Sequence, residues 1–457
     1  MKLTTKVQNC NEYKSSNIDV ENIARWIRTN SIPLDTVKFN SGFKDMEPLK
    51  ELLALSKIVA LGEATHGTRE FFQVKHRMLE FLVNNLDFHL FGIEASLPDT
   101  MTVNEYVLNG KGNPAEAVGS MLFWTWNTEE VLDLVNWMRE YNKDPSNKKK
   151  LKFYGFDMQH TKTPIDKLKS FFKKVDLDFY YRFDEVMKPF LNDSGKQHNY
   201  YKLPDNIKKE VVKEIKATIQ HLKLNRKRFI KKTSIDDFVF IFRYAIIIKQ
   251  AEEMYAAWKN GEIMELSDSL RIRDKYMADN VRWILNHEGP NSKIVLWAHN
   301  EHISSKGLGQ GVPSMGSYLK EFYGDKYVNF GFSFSSGSFQ ALKTDPYEKE
   351  FLKRYKGLQK HTVGLAPKGN IGWYMHQAGI PLFILNLHKP SDIKAVDKWI
   401  KHPHPMRYIG GAFNEKIEKE FKEIILPDQF DFLIHIDKTT SARILPTGPQ
   451  GFGTIKK

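Results

Sequence analysis

Short apolar runs that stop at a polar or charged residue set the rhythm of this chain. IVALG leads into Glu63, HLFGI into Glu94, KFYGF into Asp157 and KIVLWA into His299, with helical patterns between them. Buried strands alternating with helices are the signature of a parallel sheet with crossover connections. The first repeat shows the grammar best. Ile58 and Val59 open a β-branched run that Gly62 stops, and residues 62–67 make a polar turn. Phe71, Val74, Met78 and Leu82 then recur at helical spacing. Thr68 is the expected N-cap, and Glu70 suits the positive end of the helix dipole. Further strands are expected at residues 327–334, 339–343, 381–387 and 430–436.

Elsewhere the pattern is helical. Residues 1–56 read as a helical lead-in, with helices expected over 21–28 and 45–55. Between residues 163 and 286 the strand pattern vanishes, and 208–231, 236–258 and 268–285 read as long helices, the last capped by Ser267 and Asp268. The organisation that follows is α/β: a three-layer sandwich with a mainly parallel sheet and a large helical insertion. Residues 57–162 and 287–457 form the core, and 163–286 form the insertion, covering the functional edge of the sheet.

Composition narrows the classes. Of 457 residues, 41% are hydrophobic and 13% aromatic, enough for a substantial core. The net charge of +13 would suit nucleic acid or a membrane surface. The lysines are scattered among acids, however, as at Lys148 to Lys150 and at Lys231 and Lys232, so a basic surface without a nucleic-acid partner is expected. The single Cys10 excludes an internal disulfide and any cysteine-based metal cluster. The opening MKLTTKVQNCNEYKSS has no apolar signal region. The nearest approach to a membrane span, Phe238 to Ile248, is interrupted by Arg243. The expectation is a cytoplasmic protein without a membrane partner.

If the four runs are parallel strands, Glu63, His66, Glu94, Asp157, His299 and His302 all emerge at one edge of the sheet. Open α/β sheets place their sites there, outside the carboxyl ends of the strands. A lone histidine at a strand end is more often structural than catalytic. Two turns that each pair acid with imidazole, GEATH and AHNEH, are harder to dismiss. A carboxylate beside a neutral imidazole is the ordinary construction of a general base, because it fixes the tautomer and stabilises the imidazolium. Other chemistries fit poorly. GFSFSSGS is serine-rich but is no G-x-S-x-G elbow, and no phosphate-binding G-x-x-x-x-G-K-[ST] occurs. GLGQG (307–311) reads as a mobile flap near the site. The Glu and His residues are also metal-ligand types, so a metal-dependent hydrolase competes. The H-x-x-H spacing of His299 and His302 permits a metal and does not require one.

LGEATHGTREFFQVKHRMLEFLV, FGIEAS, NEYVLNGKG, FWTWNTEEV, GFDMQ, RIRDKYMADNVRW, VLWAHNEH, MGSYL and FDFLIHID together resemble, in order and spacing, the erythromycin esterase family. That family includes members labelled succinoglycan biosynthesis proteins. The resemblance implies hydrolysis of a small-molecule ester or lactone without a covalent serine intermediate. No cofactor is expected, because His66 must be free and neutral to take a proton from water. His66 matches the general base that activates water, and Glu63 and Glu94 match the acids around it. His299 and His302 match paired histidines that orient substrate or stabilise the oxyanion. Lys75 falls where some members carry Arg, a cation that faces developing negative charge. Lys there keeps the charge and loses the bidentate geometry. Trp124 and Trp126 are expected either in the cleft wall or as plain core aromatics, and Asp157 at the substrate. At fold level the family also resembles haem- and iron-associated proteins, which implies a second class, a metal- or haem-binding module.

Overall fold

A sheet is buried on both faces when successive residues along its strands feed different clusters. In β2 (Ile58–Leu61), Ile58 and Ala60 pack into one apolar cluster while Val59 and Leu61 pack into another. In β5 (Ile294–Trp297), Ile294 and Leu296 join the first cluster, and Val295 and Trp297 the second. A computed structural model describes residues 17–192, 200, 202–257, 266–307, 311–345, 348, 355–415, 420–451 and 454–456, and its centre is this two-faced sheet. Each fully buried Val, Leu or Ile on it contributes roughly 1.5–3 kcal/mol relative to exposure.

The other strands of the sheet, in chain order, are β1 (Ser31–Pro33), β3 (Leu90–Ser96), β4 (Lys152–Asp157), β6 (Tyr327–Thr344), β7 (Tyr355–Val363), β8 (Leu382–Asn386), β10 (Ala412–Phe413) and β12 (Phe432–Thr439). Across the main sheet the order is β1-β8-β12-β6-β2-β5-β3-β4. From β12 to β4 every neighbour is parallel, whereas β8 runs antiparallel to both β12 and β1. β7 and β10 extend the sheet by pairing with the far half of β6. β9 (His404–Arg407) and β11 (Phe421–Ile424) form a separate antiparallel pair. The α/β class and the mainly parallel sheet stand as expected. The four strands that lead to Glu63, His299, Glu94 and Asp157 lie side by side as β2, β5, β3 and β4.

Several local expectations are corrected. Residues 327–334 and 339–343 are one strand, β6: Gly337, at φ 139, lies within it and pairs with both Thr439 and Val363. The lead-in is not purely helical. Its first helix, Asn17–Asn30, holds the expected 21–28, but Ser31–Pro33 then adds the edge strand β1. The expected helix over 45–55 reduces to a 3-10 turn, Lys44–Met46, and a short helix, Leu49–Leu52, split at Pro48, whose ring removes a helical donor. Residues 208–231 divide at Asn225 into the helices Asp205–Leu224 and Arg226–Lys232. The last long helix begins at Leu266, so Ser267 and Asp268 lie within it and do not cap it. Residues 308–310 of the GLGQG stretch lie outside the described residues.

Between β4 and β5 the described residues form six helices and no strand, from Lys162–Val175 to Leu266–Glu288. Phe171, Phe229, Ile247 and Ile284 from these helices share the cluster that holds Ile58 and Leu296. This segment is therefore one outer layer of the sandwich, built on the sheet's face. It reaches the sheet's edge through particular side chains. Among the described residues no helix is long and apolar enough to cross a membrane.

Candidate active site

Register decides what meets at the edge. Leu61, Trp297, Ile93 and Gly155 stand level across β2, β5, β3 and β4. Beyond that level β3 carries a bulge, since Ser96 pairs with Asp157 where Ile93 pairs with Gly155. A bulge re-aims a side chain at the end of a strand, and here the bulged stretch carries Glu94. Gly155 makes the bulge possible, because a Cβ there would stand 2.3 Å from the Ala95 carbonyl oxygen. After β2 the chain turns at Gly62, where a Cβ would overlap the Asn300 side chain at 2.2 Å. Asn300 in turn donates its backbone N–H to the Glu63 carbonyl at 2.9 Å, tying the two acid–imidazole turns together.

Glu63 is wholly buried, and both of its oxygens are engaged. Oε1 lies 2.6 Å from His66 Nδ1, while Oε2 accepts from Lys75 Nζ at 2.5 Å and from Trp297 Nε1 at 2.8 Å. Lys75 projects from the helix Arg69–Leu86 and is itself fully buried, its ammonium 4.2 Å from the Trp297 ring centroid. Burial pulls its pKa down to about 8, and the adjacent Glu63 carboxylate opposes the shift. Lys75 therefore faces the back of Glu63, not the open side of the imidazole. Thr68 begins this helix, but its hydroxyl bonds to Thr65 at 2.6 Å and makes no capping bond.

The His66 ring is partly exposed, 15% of its side chain, and stands edge-on to Trp126. With Nδ1 held by Glu63, Nε2 makes no hydrogen bond among the described residues. His299 lies 5.0 Å away, ring centre to ring centre. Its backbone N–H donates to Glu94 Oε2 at 2.9 Å, and its Nδ1 accepts from the Glu301 amide at 3.3 Å. Burial and the neighbouring histidines push its pKa well down, so the ring is neutral. A neutral ring whose Nδ1 accepts must carry its proton on Nε2, and that nitrogen is buried without a partner. An orphaned buried donor costs about 1–3 kcal/mol.

Behind these two rings lies a charged network. Arg273, on the helix Leu266–Glu288, donates to Glu94 Oε1 at 2.7 Å and to Asp157 Oδ2 at 2.7 Å. His302 Nδ1 lies 2.9 Å from Asp274, and its Nε2 stands 3.3 Å from Glu94. Burial disfavours charge on His302, yet Asp274 and Glu94 outweigh it and push the pKa up to about 10. The Arg273 guanidinium, 3.1 Å from Nε2, opposes that rise without reversing it. Burial likewise disfavours the Glu94 carboxylate, but His302 and Arg273 hold it well below the usual range. Arg273 and Asp274 were not singled out from sequence. They sit in mid-helix, where no strand end marks them, and only their place in RIRDKY draws attention.

Trp124 and Trp126 are both buried, on a loop over residues 120–128. Trp126 donates to the Glu94 carbonyl at 3.2 Å and rests against His66 and Trp297, so it underlies the site as a packed aromatic. Trp124 reaches the Gly410–Gly411 segment, which also passes beside His66. That segment is pinned by Ile409, whose N–H donates to the Ala64 carbonyl. Among the described residues no three His, Cys, Asp or Glu side chains converge as metal ligands. The reason is visible in the contacts: Lys75, Trp297 and Arg273 already occupy the carboxylates that a metal would need.

Residues 83–439 match the family model described as erythromycin esterase. An Escherichia coli protein named erythromycin esterase type II is 25% identical over 87% of this chain and 96% of its own. A Bacillus subtilis protein named putative hydrolase YbfO is 24% identical over 92% of each. Among solved structures, a Bacillus cereus protein superposes with a TM-score of 0.79 at 26% identity, over 93% of this chain and 99% of its own. A succinoglycan biosynthesis protein gives 0.78 at 25% identity, over 94% and 100%. A mutant of the erythromycin esterase EreC shares the fold, with a TM-score of 0.64 at 17% identity over 87% and 94%.

Proposed function

Because this chain belongs to the erythromycin esterase family, we propose that it hydrolyses a small-molecule ester or lactone with water activated by His66. Membership makes it an esterase-type hydrolase; the mechanism is our reading of the site. The observation that carries it is the 2.6 Å contact between Glu63 and His66 Nδ1, which leaves Nε2 as the open basic nitrogen on a partly exposed ring. Glu63 fixes the tautomer and stabilises the imidazolium once His66 takes a proton from water. Lys75 acts through Glu63 as a positioning residue, its ammonium holding Oε2 while Oε1 meets His66. The water then attacks the carbonyl carbon, and the new oxyanion takes a hydrogen bond from His299 Nε2–H, the buried donor left unpaired for it. The imidazolium of His66 returns its proton to the leaving alcohol. Glu94, Asp157, Arg273 and His302 keep His299 in place through its backbone N–H.

No serine or cysteine is needed in this scheme, and no acyl-enzyme forms. Single-turnover hydrolysis in ¹⁸O water should place the label in the first product acid, and rapid quenching should find no acyl mass on the protein. A first-turnover acid carrying only ¹⁶O would mean that a Glu carboxylate attacks. An acyl adduct on a serine would mean that a hydroxyl does. Either result replaces the scheme.

A further inference from the structure

The turn that carries His299 holds a carboxylate that the hydrolytic scheme leaves unused, that of Glu301. The Glu301 backbone N–H donates to His299 Nδ1 at 3.3 Å, and its carboxylate Oε2 stands 3.7 Å from that same nitrogen. The two groups make opposite demands on the ring. The amide is a donor and needs Nδ1 bare, whereas a carboxylate is an acceptor and favours a proton there. The hydrogen bond formed is the one from the amide. Nδ1 therefore accepts, and the proton of the neutral ring sits on Nε2, which is buried without a partner.

The group that disarms the carboxylate comes from far along the chain. Lys422, on β11, forms an ion pair with Glu301 Oε1, and among the described residues no other Lys or Arg meets that carboxylate. Lys422 faces Met406 across the β9–β11 pair, and next to it the Tyr408 N–H donates to the Glu420 carbonyl at 2.6 Å. The Lys422 ammonium lies 5.6 Å from the centroid of the Tyr408 ring, whose own centroid is 5.9 Å from that of His299. Its charge also opposes a second proton on His299. The other titratable groups around His299 are His66, Glu94 and His302, and among the described residues none of them hydrogen-bonds Nδ1. The choice of ring nitrogen is thus left to Glu301 and its cation.

We propose that Lys422 is a positioning residue that keeps the proton of His299 on Nε2 by neutralising Glu301. Without the ammonium, the bare carboxylate beside Nδ1 becomes the stronger claim on the ring and draws the proton to that nitrogen. Nε2 then turns a lone pair, in place of an N–H, towards the developing oxyanion, and the stabilisation it offers is lost. Lys422 acts on the reaction only through Glu301 and His299. This inference rests on the oxyanion role given to His299 above. The tautomer is read without turnover, so the two fail separately.

The test is NMR of the whole protein with ¹⁵N-labelled histidine. Long-range correlations from the ring protons mark which nitrogen is protonated, and a His299→Gln spectrum identifies the signal. In the wild type His299 should be protonated on Nε2. Lys422→Met should move that proton to Nδ1, with Lys422→Gln giving the same reading should the first variant not fold. Lys422→Arg, which keeps the cation, should leave it on Nε2. Combining Lys422→Met with Glu301→Gln removes the carboxylate charge as well and should return the proton to Nε2, which a merely structural role for Lys422 would not do. On a hydrolysed ester, kcat should follow the tautomer, falling about 10²- to 10³-fold in Lys422→Met, the effect of one lost oxyanion donor, and recovering in the double variant. A proton on Nδ1 already in the wild type, an unmoved Nε2 proton or an imidazolium in Lys422→Met, or a double variant that keeps the proton on Nδ1 would each overturn the proposal. If the tautomers shift as expected and kcat does not, the assignment of Lys422 stands and the oxyanion role of His299 falls.

Discussion

At the scale of single residues, the site sorts its groups by what already holds them. Lys75 shows the sorting. From sequence it is a cation that could meet negative charge developing on substrate, but it is fully buried and spends its ammonium on Glu63. Sequence carries the residue type and the helical position; it carries no information about which side of Glu63 the ammonium approaches. Lys75→Met should therefore act through Glu63. Without the ammonium the carboxylate that positions His66 loses its hydrogen bond, and kcat should fall by about 10-fold or more, the effect of one hydrogen bond to a charged group, with KM little changed. An unchanged kcat with a raised KM would place Lys75 against substrate instead.

At the scale of elements, the strand ends were legible because each apolar run stops at a titratable residue, and strands β2 to β5 put those stops side by side. The bulge in β3 was not legible. It depends on Gly155 in the neighbouring strand, and pairing partners cannot be read from one strand's pattern. A Cβ at position 155 would meet backbone atoms, the Ala95 carbonyl oxygen at 2.3 Å and the Ser96 carbonyl carbon at 2.9 Å, which have no rotamer to yield. Gly155→Ala should cost about 1–3 kcal/mol by overpacking and lower kcat by displacing Glu94 from the His299 amide. Unchanged kcat in a destabilised Gly155→Ala protein would show that the bulge serves only the fold. The helix Leu266–Glu288 was expected, but its delivery of Arg273 and Asp274 to the site was not, since a mixed helical face marks no chemistry by periodicity.

At the scale of the whole molecule, the sheet and its helical layer are joined through charge as well as through apolar packing. His302 sits between Asp274 on the Leu266–Glu288 helix and Glu94 on the sheet. Its pKa is raised from 6.5 to about 10 in the folded state. The stability it contributes is thus fully present below pH 6.5 and is lost as pH rises through about 10. Glu94 is shifted the other way, so its contribution is present above its ordinary pKa of 4.5 and is lost on acidification. The thermal midpoint should fall between pH 6.5 and 10, and His302→Gln should flatten that fall. An equal alkaline slope in wild type and variant would assign it to other groups.

The central claim is that His66 takes the proton from the attacking water. Its most direct measurement is kcat/KM against pH for His66→Ala and wild type, on a hydrolysed ester, with circular dichroism and thermal midpoint confirming that the variant folds. General-base assistance is worth about 10² to 10⁴ in rate. The predicted result is a loss of that order, a changed pH dependence, and partial recovery with added imidazole. Wild-type turnover and an unaltered pH profile in the folded variant would contradict it.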